Sequence, residues 1–193
     1  MLASLVTLVI ALVSNLQTAP LPKFLSSFVE PGTRPIDFDS ADLNGDGLVD
    51  FVVVLEKTRR DDVHDVERAE RTLLVLVKTK EGFKLAVRAV DAIQPDDCGG
   101  VFGDCFQGIE AAPRSIIINE YGGSSWRWST KAVFRYSKRD ETWELVRYES
   151  QSFHVSDPDA ITKKILTPKQ FGKVKIADYS EQAIPDEEAA SPR

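Results

Sequence analysis

Between Trp126 and Tyr136 the side chains alternate with a strict period of two. Trp126, Trp128, Thr130, Ala132, Phe134 and Tyr136 fall on one face; Arg127, Ser129, Lys131, Val133 and Arg135 fall on the other. Only an extended strand keeps such a set on one side, because a helix would scatter it around its circumference. A strand of this length needs partners and a core to cover its apolar face, so the chain is constrained to a sheet.

The flanking sequence repeats the pattern. Phe51–Leu55, Thr72–Val77, Phe83–Val90, Ser115–Asn119 and Thr142–Tyr148 are short, β-branched or alternating runs, and Lys173–Ile176 is a further candidate. Thr72–Val77 is apolar on both faces, as a central strand requires. The links Lys80–Gly82, Gly122–Gly123 and Lys138–Glu141 have hairpin length, and Gly-Gly suits a turn with positive φ. The expected fold is mainly β: an antiparallel meander of about seven strands forming one curved sheet or a small sandwich. One short C-terminal helix is expected at Pro168–Phe171, with Thr167 as N-cap and Gly172 closing its end. The charged stretch Asp61–Arg71 reads as a long solvated hairpin loop, and the polar residues 181–193 as a disordered tail.

Residues 1–19 are a different material. Met1–Pro20 carry no charged side chain, and the first charge is Lys23. The apolar run Leu2–Val13 is shorter than the roughly 20 residues a bilayer span needs and suits the centre of a signal peptide. Cleavage near Ala19 would leave residues 20–180 as a single β domain, exported to the periplasm or beyond the cell, with no stable membrane span. No Lys or Arg precedes the run, which keeps an uncleaved anchor or a buried N-terminal helix as alternatives. Across the chain, 30 acidic residues outnumber 24 basic ones, giving a net charge of −6. That balance argues against nucleic acid as a partner, since phosphate binding needs clustered cations.

The most specific motif is Asp42-Leu43-Asn44-Gly45-Asp46-Gly47-Leu48-Val49-Asp50. Alternate residues of a tight loop can turn toward one centre. Asp42, Asn44, Asp46 and Asp50 offer side-chain oxygen there, and Leu48 its backbone carbonyl. Calcium takes six to eight oxygens at about 2.3–2.6 Å and would relieve the repulsion among the carboxylates. An EF-hand does not fit, because its twelfth position, a Glu, is Val53 here and a strand follows the loop. A metal-free Asn/Asp/Gly turn is the alternative. The stretch Ala41–Leu55 resembles the calcium loop of the FG-GAP/VCBS family, the integrin-α-like β-propeller repeats. The resemblance implies a structural Ca2+ at Asp42, Asn44, Asp46, Leu48 and Asp50. A single loop cannot build a propeller, so the family's propeller fold and adhesion roles do not carry over. The rest of the chain is similar to single-loop secreted bacterial proteins.

Two further clusters invite a function. Asp96–Gly108 holds both cysteines and four glycines. In an exported protein Cys98 and Cys105 are expected to pair, with free thiols or a redox pair as alternatives. Tyr121–Trp128 places Tyr121, Trp126, Arg127 and Trp128 beside a hairpin tip. If exposed, they form a platform for a protein or carbohydrate; if buried, they are core. His64 and His154 are isolated, and no nucleophile–base arrangement is visible, so no catalytic residue is assigned. Asp104 with Glu110 is one acid pair among many. The function expected is a non-enzymatic binding or interaction module; the alternative is a small hydrolase acting on cell-envelope or polysaccharide material. The latter would need a cleft with two or more carboxylates away from the Asp42–Asp50 loop.

Overall fold

The computed structural model describes residues 20–58 and 68–185. The expected signal segment, His64 and the last part of the expected tail lie outside the described residues.

The fold is all-β and antiparallel. Among the described residues, nine strands form two sheets, each a continuous meander. The first sheet contains β1 (Thr33–Ala41), β2 (Asp50–Lys57), β3 (Arg71–Thr79) and β4 (Gly82–Ala89) in that order. The second contains β5 (Phe106–Ala112), β6 (Ser115–Gly123), β7 (Trp126–Ser137), β8 (Thr142–His154) and β9 (Asp157–Leu166), again in chain order. This corrects the expectation of about seven strands. β1, β5 and β9 are additional, and Lys173–Ile176 is not a strand. Lys175 makes one isolated bridge to Glu144, and Ile176–Asp178 is a 3-10 turn.

The facing sides of the two sheets form one apolar cluster. Val52, Val54, Leu73, Val75 and Val87 come from the first sheet; Ile116, Ile118, Phe134, Trp143 and Leu145 come from the second. β2 and β3 are also apolar on their other face. Val53, Leu55, Leu74 and Leu76 are covered there by Leu25 of the 3-10 helix Lys23–Phe28. Both-sided burial explains why these two strands read as near-continuous apolar runs.

The sheets meet edge to edge at β1 and β5, through side chains. Asp37 Oδ2 accepts from the Ile109 amide at 2.9 Å, and Asp39 Oδ2 accepts from the Ala111 amide at 2.7 Å. Burial pushes the Asp37 carboxyl up, and the Ile109 and Phe38 amides oppose that shift.

The helix Pro168–Phe171 forms as expected. Thr167 and Gln170 build a capping box, and Gly172 has φ 75°. The glycine pair at 122–123 is not the hairpin turn. Both residues belong to β6, and Ser124 and Ser125 make the tip. Glycine is needed there for close approach. A Cβ on Gly122 would stand 2.7 Å from the Trp128 ring and 2.9 Å from Gly99 Cα; one on Gly123 would stand 1.9 Å from the Trp126 carbonyl oxygen. Two further boundaries shift. Arg71 opens β3 and is 2% exposed rather than lying in a solvated loop. Glu181–Ala183 form a 3-10 helix packed on the second sheet, so order runs past the expected start of the tail.

Candidate functional site

The Asp42–Asp50 loop joins β1 to β2, and its two ends differ from its head. At the base, the Leu43 side chain is fully buried in the main core, and its carbonyl accepts from Trp143 Nε1 at 2.9 Å. Asp50 is 0% exposed. Its Oδ2 accepts from the Leu43 amide at 3.0 Å, and its Oδ1 accepts from the Lys78 amide on β3 at 2.8 Å. Burial pushes the Asp50 carboxyl up, and these two amides oppose it. At the head, the side chains fold over the loop's own amides. Asp42 Oδ1 accepts from Gly45 and Asp46, and its Oδ2 from Gly47. Asn44 Oδ1 accepts from the Asp46 amide and Asp46 Oδ1 from Leu48. Gly45 and Gly47 take φ of 80° and 88°, which allows the chain to curl inside its own carboxylates.

The donor set of the head is all oxygen, as a hard cation requires; Asp42 Oδ2 and Asp46 Oδ1 each accept one backbone amide and keep a second lone pair, whereas Asp42 Oδ1 already accepts two. Asp42, Asn44, Asp46 and the Leu48 carbonyl supply oxygens of the kind such an ion takes. Asp50 differs from them, being the buried strut that ties the loop to β3. Among the described residues, the His/Cys/Asp/Glu group that comes within 4.8 Å is Cys98, Asp104 and Cys105 rather than the loop aspartates. Those two sulfurs are bonded to each other and offer no thiolate.

The disulfide lies at the open end of the second sheet. Cys98 and Cys105 are joined with their Cα atoms 5.3 Å apart, within the normal range. The loop between them is fastened to the first sheet by Arg71. That guanidinium donates to Glu56 Oε2 of β2, to both carboxylate oxygens of Asp104 and to the Gln94 carbonyl. Asp104 is therefore an ion-pair partner. Glu110 accepts instead from Asn119 Nδ2 on the outer face, so the sequence-level pair is not assembled.

The aromatic candidates divide between two faces. Residues directly opposite in a ladder share a face. Gly122 pairs with Trp128 and Gly123 with Arg127, so Trp128 points inward and Arg127 outward. Outward, Arg127 lies over the Phe102 ring at 4.2 Å and Phe102 meets Tyr121 at 5.3 Å. Inward, the alternating stripe is graded. Ala132 and Phe134 are core, Trp128 is half-buried against Gly122, and Trp126 is 61% exposed. Trp126 meets His154 edge-on at 5.2 Å, and the His154 Nδ1 is 2.7 Å from Ser156 Oγ. Tyr121, Trp126, Arg127 and Trp128 thus line the two sides of one sheet end, both next to the disulfide loop.

Sequence inspection missed a carboxyl pair. Glu120 on β6 is 4% exposed and accepts from the Gln94 amide and side chain and from Thr130 Oγ1. It sits against Glu181, whose carboxyl accepts from Tyr148 Oη and from Tyr179 Oη. Between the sheet residues Tyr148, Ser150 and Lys164 and the C-terminal strap residues Glu181, Gln182 and Ile184 lies a cleft of about 290 Å3, with the strap as its second wall. The one available signal was the alternation itself, which places Glu120 on the same face as Ile116 and Ile118.

No helix among the described residues is long and apolar enough to cross a membrane. Comparison with protein-family models, with curated proteins and with solved structures gives no match.

Proposed function

We propose that this chain is an exported β domain, steadied by one calcium ion, that works as a non-enzymatic binding module for a protein or carbohydrate. The observation that carries the proposal is Trp126. Its indole is 61% exposed at the end of a strand face on which Trp128 is half-buried and Phe134 fully buried. Large exposed aromatics concentrate where a partner covers them, and an indole offers both an apolar face and an N–H donor. Trp128 and His154 stand beside it on the same face, and the Arg127–Phe102–Tyr121 stack occupies the reverse side of the same sheet end.

The calcium part of the proposal rests on the all-oxygen head of the Asp42–Asp50 loop and on its resemblance to the FG-GAP/VCBS loop. Asp42, Asn44, Asp46 and the Leu48 carbonyl would hold the ion at the head, with Asp50 at the base. Bound calcium would neutralise the clustered carboxylates and stiffen the entry to β2. Export to the periplasm or cell exterior is supported by the uncharged, apolar residues 1–19 and by the disulfide, which persists in oxidising compartments.

The experiment is to titrate peptidoglycan fragments and neutral oligosaccharides while following tryptophan fluorescence. Wild type should show saturable quenching, and Trp126→Ala should lose it with its melting temperature unchanged. Equal binding by wild type and Trp126→Ala would remove Trp126 from the site.

The hydrolase reading draws on the Glu120–Glu181 pair beside the Tyr148 cleft. Glycoside hydrolysis needs carboxyl groups about 5–5.5 Å or 6.5–9.5 Å apart, with room for a sugar or water between them. Two carboxyl groups in hydrogen-bonding reach of each other leave no such room. Release of reducing sugar from polysaccharide by wild type, absent in Glu120→Gln, would reverse this preference.

A further inference from the structure

The final described segment crosses the inner face of the second sheet as a strap. Its apolar anchors are Ile176, Tyr179 and Ile184, all buried in the main core, and the Tyr179 ring meets Phe134 edge-on at 5.1 Å. Between Tyr179 and Ile184 the Glu181 carboxyl turns down toward the sheet. Tyr148 of β8 donates to its Oε1, and Tyr179 donates to its Oε2 at 3.3 Å. From β6, Glu120 reaches the same carboxyl. β7 contributes Thr130, whose hydroxyl donates to Glu120 at 3.3 Å, and Gln94 contributes its amide and side chain. All these donors are neutral. β9 contributes the cation Lys164, but its Nζ donates to the Pro185 carbonyl at 2.8 Å, fastening the far end of the strap.

Two carboxyl groups therefore meet in a mostly buried place with only neutral donors bonded to them. Placing a negative charge on both would be strongly unfavourable in low dielectric. One proton held between them removes the repulsion and lets one carboxyl donate to the other. That shared proton favours the flat position of the strap end.

We propose that residues 180–185 are a pH-sensitive cover: a proton shared by Glu120 and Glu181 seals them over the Tyr148–Ser150–Lys164 cleft, and loss of that proton lifts them away. The cover opens onto a built surface. Glu120, Thr130, Ser150 and Lys164 face one another in register across four strands, and Trp128, Ser152 and Thr162 form the next row toward Trp126. Lifting the strap would join the cleft to the tryptophan end of the sheet as one polar surface. The inference does not depend on whether Trp126 binds a ligand.

Burial, reinforced by the negative charge of Glu120, pushes the Glu181 carboxyl up to about 7. The closed state binds the proton more tightly than the open one, so closure is favoured in mild acid and weakens as pH rises through neutrality.

The test is amide hydrogen exchange on the full chain at pH 5.5 and 8.5, expressed as protection factors, with β6 and β7 amides as internal references. Protection of 180–185 should fall roughly thirtyfold between the two conditions by linkage, with the references unchanged. Glu181→Gln keeps both tyrosine bonds and can donate to Glu120, so its strap should stay equally protected at both pH values. Should that variant fail to fold, Glu120→Gln must show a clearly smaller loss than wild type, since it removes the Glu120 charge while leaving Glu181 buried. A wild-type strap with equal protection at both pH values would overturn the proposal, as would a folded variant that retains the full wild-type loss.

Discussion

Asp50 and Asp46 lie in one loop and have opposite physical roles. Asp50 satisfies the buried amides of Leu43 and Lys78, so Asp50→Ala leaves two donors without partners. Each orphaned donor costs about 1–3 kcal/mol, so urea denaturation should show a loss of about 2–6 kcal/mol with or without calcium. Asp46 is exposed at the head. Asp46→Ala should cost less than about 1 kcal/mol in EDTA and abolish most of the rise in melting temperature that calcium gives the wild type. An unchanged wild-type melting curve on adding EDTA would show that no calcium is held. The motif spacing made these aspartates look equivalent, since it counts oxygens and not burial; only the depth of Leu43 in the core separates base from head. Arg71 was misjudged for a similar reason. Its neighbours in sequence are charged, yet its own partners, Glu56 and Asp104, come from a strand and a loop distant in the chain. Arg71→Met breaks a buried pair, and chemical denaturation should register about 3–5 kcal/mol.

At the level of elements, the strands that were legible are those whose apolar pattern is forced by burial. β2, β3, β6, β7 and β8 each have a neighbour on both sides, and β4, an edge strand, was legible through its own alternation, which buries Val87 and Ala89. β1, β5 and β9, which the pattern did not reveal, are edge strands, where charge and proline are tolerated and even useful against stray pairing. β1 shows this in Pro35, Asp37 and Asp39, and β9 in Pro158, Lys163 and Lys164. The Gly-Gly pair was correctly read as special but for the wrong reason, since its glycines make room for Trp128 and Gly99 rather than for a turn. The disulfide loop is the element most open to manipulation. Reducing Cys98–Cys105 frees a short loop, and loop-closure entropy assigns it about 2–3 kcal/mol. Thermal unfolding with and without reductant should show that decrease, and intact mass should rise by about 2 Da on reduction as two hydrogens are added.

Across the whole molecule, the carboxyl pair contributes to how stability varies with pH, alongside the buried carboxyls of Asp37 and Asp50, which burial also pushes up. Glu181 takes up a proton more readily in the folded state than in the unfolded chain, where a glutamate titrates near its ordinary value. Its contribution is fully present below about pH 4.5, declines as pH rises, and is gone above about pH 7. The decline amounts to about 3 kcal/mol at most. Urea midpoints should therefore fall between pH 5 and 8 in wild type, and Glu181→Gln should flatten that slope. Sequence alone could not have supplied this, because Glu120 and Glu181 are far apart in the chain and meet only when the strap folds back.

The assignment of each sheet to its own continuous stretch of chain has a consequence for biosynthesis. The ribosome completes residues 33–89 before it makes any strand of the second sheet. During that interval β1 to β4 can pair, yet Val52, Val54, Leu73 and Val75 have nothing opposite them. The nascent half-molecule presents a broad greasy plane to whatever is nearby until its second half is delivered.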